Sequence, residues 1–123
     1  PAFALASSEV TGNTCLFFQG DVLAAPIVFD DGLTCASGSI VRLGMRPTAG
    51  FASAYPLAAD QPISLRGAIP ALGGTYVYQA HYRNTATSFC PPATSNRTNA
   101  LQVLESVNRA AALGLAFALA LGV

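Results

Sequence analysis

The chain has 123 residues, room for one domain, with 52% apolar and 10% charged residues. Six basic residues balance six acidic ones, which argues against the clustered positive surface that nucleic-acid binding requires; the apolar fraction argues against disorder too, because burial can offset the ordering entropy. All six basic residues are Arg, Trp is absent and His81 is the one imidazole, so general acid–base chemistry has few candidates.

In chain order, residues 1–14 read as an apolar extension in which Phe3 and Leu5 alternate with small residues. Residues 15–105 then read as strands cut by turns. Leu16–Gln19 and Ile27–Phe29 are short apolar runs, and Asp30-Asp31-Gly32 is a turn signal, since Asp tolerates and Gly favours positive φ. Ser39–Leu43, Phe51–Tyr55 and Ile63–Arg66 are each bracketed by Gly or Pro and are expected as further strands. Thr75–Arg83 is the clearest strand: Tyr76, Tyr78, Ala80 and Tyr82 share one face, and Val77, Gln79, His81 and Arg83 the other. Ala100–Leu104 is the last strand of this domain. No amphipathic helix is read before residue 105, so the expected fold is all-β, an antiparallel β-sandwich of jelly-roll or Ig-like kind with apolar terminal extensions.

Residues 106–123 form the C-terminal extension. The stretch Ala110–Val123 carries no polar side chain; it is shorter than the ~20 residues that span a bilayer as a helix. Leu113, Leu115, Phe117, Leu119, Leu121 and Val123 hold every odd position, with Gly or Ala between them. That period of two favours a strand, whereas the high helix propensity of Ala and Leu favours a helix that Ser106 could cap. With Val123 placed before Pro1, Asn108-Arg109, the apolar run and Ala4-Leu5-Ala6 lay out a basic region, an apolar region and an Ala-x-Ala site, as in a secretory signal. In linear order the halves lie at opposite ends, and both orders fit an exported protein.

Three cysteines, Cys15, Cys35 and Cys90, make an odd count. In an exported protein this suggests one bridge and one further thiol that is buried, reactive or paired with another chain. Cys35 and Cys90 both adjoin turn-forming residues. A bridge between them would close a loop of about 55 residues, worth ~4 kcal/mol in the chain-entropy model. Cys15 lies in the apolar run Cys15-Leu16-Phe17-Phe18 and reads as a small buried hydrophobe.

An ordered series of segments carries a resemblance. It comprises Leu16-Phe17-Phe18, Asp31-Gly32-Leu33-Thr34-Cys35, Ile40-Val41-Arg42-Leu43-Gly44, Tyr55-Pro56 and Ser64-Leu65-Arg66-Gly67, then the run Tyr76–Asn84, Phe89-Cys90-Pro91-Pro92-Ala93-Thr94, Asn96-Arg97-Thr98-Asn99 and Leu101-Gln102-Val103. Together these resemble a secreted β-sandwich-like module found near the C-terminus of large exported bacterial proteins. The resemblance implies a bridge between Cys35 and Cys90 and no established activity. The chain departs from the pattern in carrying His81 where an aromatic, often Trp, is usual, and in running on past the last strand.

The chemistry-bearing residues form no catalytic set. His81 lies in an alternating strand as a surface or interface residue. Asp30 and Asp31 lack the ligand series of a calcium loop, scattered cysteines with one His make a poor zinc set, and no nucleophile–base pair stands out. No metal or other cofactor is expected. Tyr76, Tyr78 and Tyr82 on one strand face fit either a buried or interface face or a surface that stacks on sugars. Asn96-Arg97-Thr98 fits an N-glycosylation acceptor.

The expectation is therefore a non-catalytic, extracellular or cell-surface structural subunit. Its apolar ends, Phe3 and Leu5 with Leu113–Val123, pair with a second copy in a fibre or layer. The partners are its own copies, with no nucleic acid and no spanning segment. The competing expectation is a monomeric carbohydrate-binding or adhesion module.

Overall fold

The computed structural model of the chain describes residues 3–83, 94–105 and, as strand backbone, 116–120. Its elements in order are β1 (Leu5–Ser7), β2 (Thr14–Gly20), β3 (Val22–Phe29), β4 (Gly32–Ser37), β5 (Val41–Pro47), β6 (Ser53–Tyr55), α1 (Ile63–Arg66), β7 (Gly74–Arg83), β8 (Ser95–Arg97), β9 (Leu101–Glu105) and β10 (Ala116–Ala120). The main sheet runs β10-β9-β7-β2-β5, with β8 also paired to β7, and two two-stranded sheets, β1-β6 and β3-β4, accompany it. All strand pairs are antiparallel. The described residues are mostly strand, as expected, and no sheet closes into a barrel.

The central strands β2 and β7 are covered on both faces. Phe17, Tyr78 and Ala80 point into a large apolar cluster with Leu5, Val10, Leu43, Tyr55, Ile63 and Val103. Phe18 and Val77 point the other way, into a small cluster with Cys35, Ala36 and Ala100. Strands β1 and β6 and the helix α1 therefore close the first face, and the hairpin β3-β4 closes the second. The hairpin lies close to the main sheet at Gly20, where a Cβ would stand 2.4 Å from the Ser37 carbonyl oxygen. Its tip is the two-residue turn Asp30-Asp31, with Asp30 at φ 50°, a conformation that Asp tolerates better than most residues. The Ser95 hydroxyl bonds the Asp30 carboxylate and the Asp31 N–H donates to the Ser95 carbonyl at 3.1 Å, so the tip is tied to β8.

Two expectations are corrected. Ile63–Arg66, expected as a strand, is one turn of helix. The Pro62 carbonyl accepts from the Leu65 and Arg66 N–H groups at 3.0 Å, and Gly67 N–H closes the turn on the Ile63 carbonyl at 2.7 Å. A four-residue segment between Pro and Gly is too short for a period to decide, and burial of Ile63 decides it. The expected bridge between Cys35 and Cys90 is not formed: Cys35 is a free thiol, 1% exposed and packed among Phe18, Ala36, Val77 and Ala100. Cys90 lies outside the described residues. Burial in the small cluster accounts for Cys35 as a hydrophobe, and its thiol is pushed up by that burial.

Candidate functional site

Residues at both ends of the chain are the ones expected to carry assembly. At the N-terminal end Leu5 is 5% exposed and opposite Tyr55 in the β1-β6 pair. Phe3 meets the Tyr78 ring edge-on, with centroids 5.6 Å apart. This end thus closes the core of its own chain. At the other end the tail is a strand over Ala116–Ala120. It takes the outermost place in the main sheet beside β9, with Phe117 opposite Leu104 and Leu119 opposite Gln102. Leu113, Leu115, Leu121 and Val123 lie outside the described residues.

The tyrosine face is divided. Tyr78 and Tyr82 line a cleft of about 390 Å³ between the β1 segment and β7, with Ser7, Glu9, Thr98 and Asn99 as polar wall groups. Tyr76 is half-buried and does not line it. The Tyr78 ring is core, and its hydroxyl donates to Glu105 Oε1 at 3.4 Å. Burial first, and then the Glu105 charge and hydrogen bond, push the Tyr78 phenol far up. Burial raises the Glu105 carboxyl as well, against the hydrogen bond from Tyr78, which lowers it. Burial raises Tyr82 too, and it raises the Cys15 thiol, whose Sγ lies 3.7 Å from Ser7 Oγ. Cys15 is fully buried, as its apolar setting in the sequence suggests.

The opposite face of β7 holds the groups that sequence reasoning passed over. Gln79 is 3% exposed, and all four of its hydrogen-bonding positions are filled. Its Oε1 accepts from the N–H groups of Cys35 at 3.0 Å and Ala36 at 3.2 Å. Its Nε2 donates to the carbonyls of Leu33 at 2.9 Å and Thr98 at 2.7 Å. One amide thereby ties β7 to β4 and to the segment between β8 and β9. A polar residue among Val77, Ala80 and three Tyr was the available signal: a buried amide in a strand must find partners.

Arg97, visible in the sequence only as the middle of an acceptor triplet, lies with its guanidinium carbon 4.0 Å from the Phe29 ring centroid and 4.7 Å from that of Phe18. Its Nη1 donates to Thr34 Oγ1 at 2.8 Å. It therefore links the hairpin to the main sheet. His81 is its in-register neighbour on β7 and meets Phe29 edge-on at 5.8 Å. Burial, then the charges of Arg97 and Arg83, hold His81 below its ordinary range, against a raising effect of Asp30. Asn96 is half-buried, and its side-chain oxygen accepts from the Arg97 N–H at 2.7 Å.

The hairpin carries many exposed apolar side chains: Val22, Leu23, Ile27, Val28 and Leu33 are all exposed, Val28 at 77%, and Phe29, turned toward the main sheet, is 39% exposed. Among the described residues no group of three or more His, Cys, Asp or Glu side chains could hold a metal ion, and no helix is long and apolar enough to cross a membrane. Compared with protein-family models, curated proteins and solved structures, the chain matches none.

Proposed function

We propose that this chain is a secreted, non-catalytic structural module of sandwich-like (jelly-roll or Ig-like) fold, akin to the exported bacterial module its segments resemble. It self-associates at the cell surface by exchange of its terminal strand. One observation supports this most: β10 is the outermost strand of the main sheet and, among the described residues, its strand pairing is with β9. The same ladder forms equally well when β10 comes from a second copy, and such head-to-tail exchange propagates a fibre when it does not close. The near-zero net charge and the exposed apolar side chains of the hairpin favour association as well.

Deleting Leu113–Val123 tests the proposal. Light scattering of the full chain in dilute buffer shows particles larger than a monomer. The truncated chain stays monomeric with an unchanged near-ultraviolet circular dichroism spectrum. A truncated chain that assembles as well as the full one, or a full chain that stays monomeric, overturns strand exchange.

A second reading rests on the cleft beside Tyr82. A half-buried aromatic ring with Ser7, Glu9 and Asn99 at hand suits a sugar ring. Glycan-array binding by the intact protein that is lost in Tyr82→Ala and kept in Tyr76→Ala supports it. No glycan binding removes it.

A further inference from the structure

A second cleft, of about 340 Å³, lies on the hairpin side of the main sheet, within the range of small-molecule sites, ~300–1,000 Å³. Its apolar lining is Leu16 and Phe18 on β2, with Phe29, Ala36 and Ile40. Its basic groups come from both flanks. His81 pairs in register with Leu16 on one side and Arg97 on the other, while Arg42 on β5 pairs with Phe18. Strands β8, β7, β2 and β5 follow one another, so the backbones at Arg97 and Arg42 are three strand spacings, about 14 Å, apart, with the Arg97 guanidinium reaching in over the Phe18 ring.

These nitrogens are under-used. Arg97 Nε and His81 Nδ1 are both buried and without a hydrogen-bond partner among the described residues. The one ion pair among those residues is Arg46 with Asp60, so neither Arg42 nor Arg97 is matched by a carboxylate there. Asp30 is the acidic group nearest to both His81 and Arg97 in effect, and it is engaged by the Ser95 hydroxyl. Two buried nitrogens without partners beside apolar side chains cost desolvation without return, and an anion that accepts from Arg97 Nε–H and from His81 in its Nδ1–H tautomer repairs that cost. A carboxylate suits this place better than a phosphate. It carries one charge, it matches the planar edge of a guanidinium, and the rest of its body replaces water over Leu16, Phe18 and Ile40.

We propose that this cleft binds a small monocarboxylate with an apolar body, the carboxylate seated at Arg97 and His81 and the body lying over Leu16 and Phe18 toward Ile40. None of its described lining residues lies on β9, the strand that β10 pairs with.

Titration of the full chain with octanoate, followed by calorimetry and by the imidazole proton resonances of His81, tests this directly. The one imidazole makes those resonances unambiguous. The expected result is saturable binding that moves the His81 resonances. 3-Phenylpropionate competes, which marks the carboxylate as the shared element, while acetate and octan-1-ol bind at least about tenfold more weakly. Arg97→Gln weakens octanoate about tenfold or more. Because Arg97 also links two layers, Ile40→Asp serves as a second variant: Ile40 is half exposed, its change leaves the interior intact, and it weakens octanoate about tenfold. Equal binding of octan-1-ol reduces the site to a greasy patch and overturns the proposal. So does inorganic phosphate displacing octanoate at equal concentration, or His81 resonances that stay still at about 10 mM octanoate.

Discussion

The two faces of the central strands β2 and β7 are held shut by different physics. On the β1-β6 side, ten buried residues form one continuous cluster, and the layer adheres mainly by apolar area, with the Gln19 amide donating to the Gly67 carbonyl at 3.0 Å and Arg66 Nε to the Leu43 carbonyl at 3.2 Å. On the hairpin side the buried apolar cluster has five members, two of them Ala, too little surface to hold a two-stranded hairpin that is weak by itself. There the deficit is met by directional contacts: the four bonds of Gln79, the stacked guanidinium of Arg97 and the tie between Ser95 and the turn. A thin core can thus hold a layer if one buried amide is fully satisfied, but that layer depends heavily on few residues.

The largest expected effect breaks the apolar face. Tyr55 is 2% exposed, sits beside Phe17 and donates its hydroxyl to the Gln61 carbonyl at 3.2 Å. Tyr55→Ala costs about 4 kcal/mol in urea unfolding and lowers protection of the whole sheet together. The next effect isolates the polar staple. Gln79→Leu keeps the volume but strands the N–H groups of Cys35 and Ala36 and the carbonyls of Leu33 and Thr98. It costs about 3 kcal/mol, and amide exchange at Cys35 and Ala36 accelerates well before that of Phe17. A loss below about 1 kcal/mol, or uniform acceleration, erases the distinction between the two faces.

The smallest effect is a pH dependence confined to the hairpin side. His81 titrates lower in the folded chain than in the unfolded one, so the unfolded chain binds the proton first as pH falls. The contribution of His81 is intact above its unfolded pKa of about 6.5 and is lost as pH drops through that value toward the lower folded one. His81→Gln flattens this part of the stability profile between about pH 7 and pH 5. A wild-type profile that rises on acidification over that window contradicts the placement of His81 beside Arg97 and Arg83. Glu105 works in the opposite sense, since its carboxyl is raised by burial; as pH falls, the folded chain gains this proton before the unfolded one.

Much of the strand content was legible from local signals. The period of two from Thr75 to Arg83 marks β7, the Asp30-Asp31 turn marks the hairpin tip, and the large–small alternation of the tail agrees with β10 as a strand. Ile63–Arg66 was illegible as a helix because four residues show no period. The N-terminal piece reads as an extension in the sequence, yet Leu5 and Phe3 complete the core cluster, since any short apolar segment looks the same whether it is free or docked. The clefts were less legible still. Tyr82 was in view, but Arg42 and Arg97 meet the same cleft only because β5 and β8 lie on opposite sides of β2 and β7.

Taken by itself, the order of residues settled the class of structure: alternation along each strand and Gly, Pro and Asp at the turns are local properties, set by side-chain direction and backbone sterics. Tertiary structure alone decided which layer covers which face, that Cys35 is a free core thiol, and that Gln79 and Arg97 hold the hairpin. Those outcomes depend on partners far apart in the chain, and a residue's neighbours across a sheet leave no mark on its neighbours in sequence.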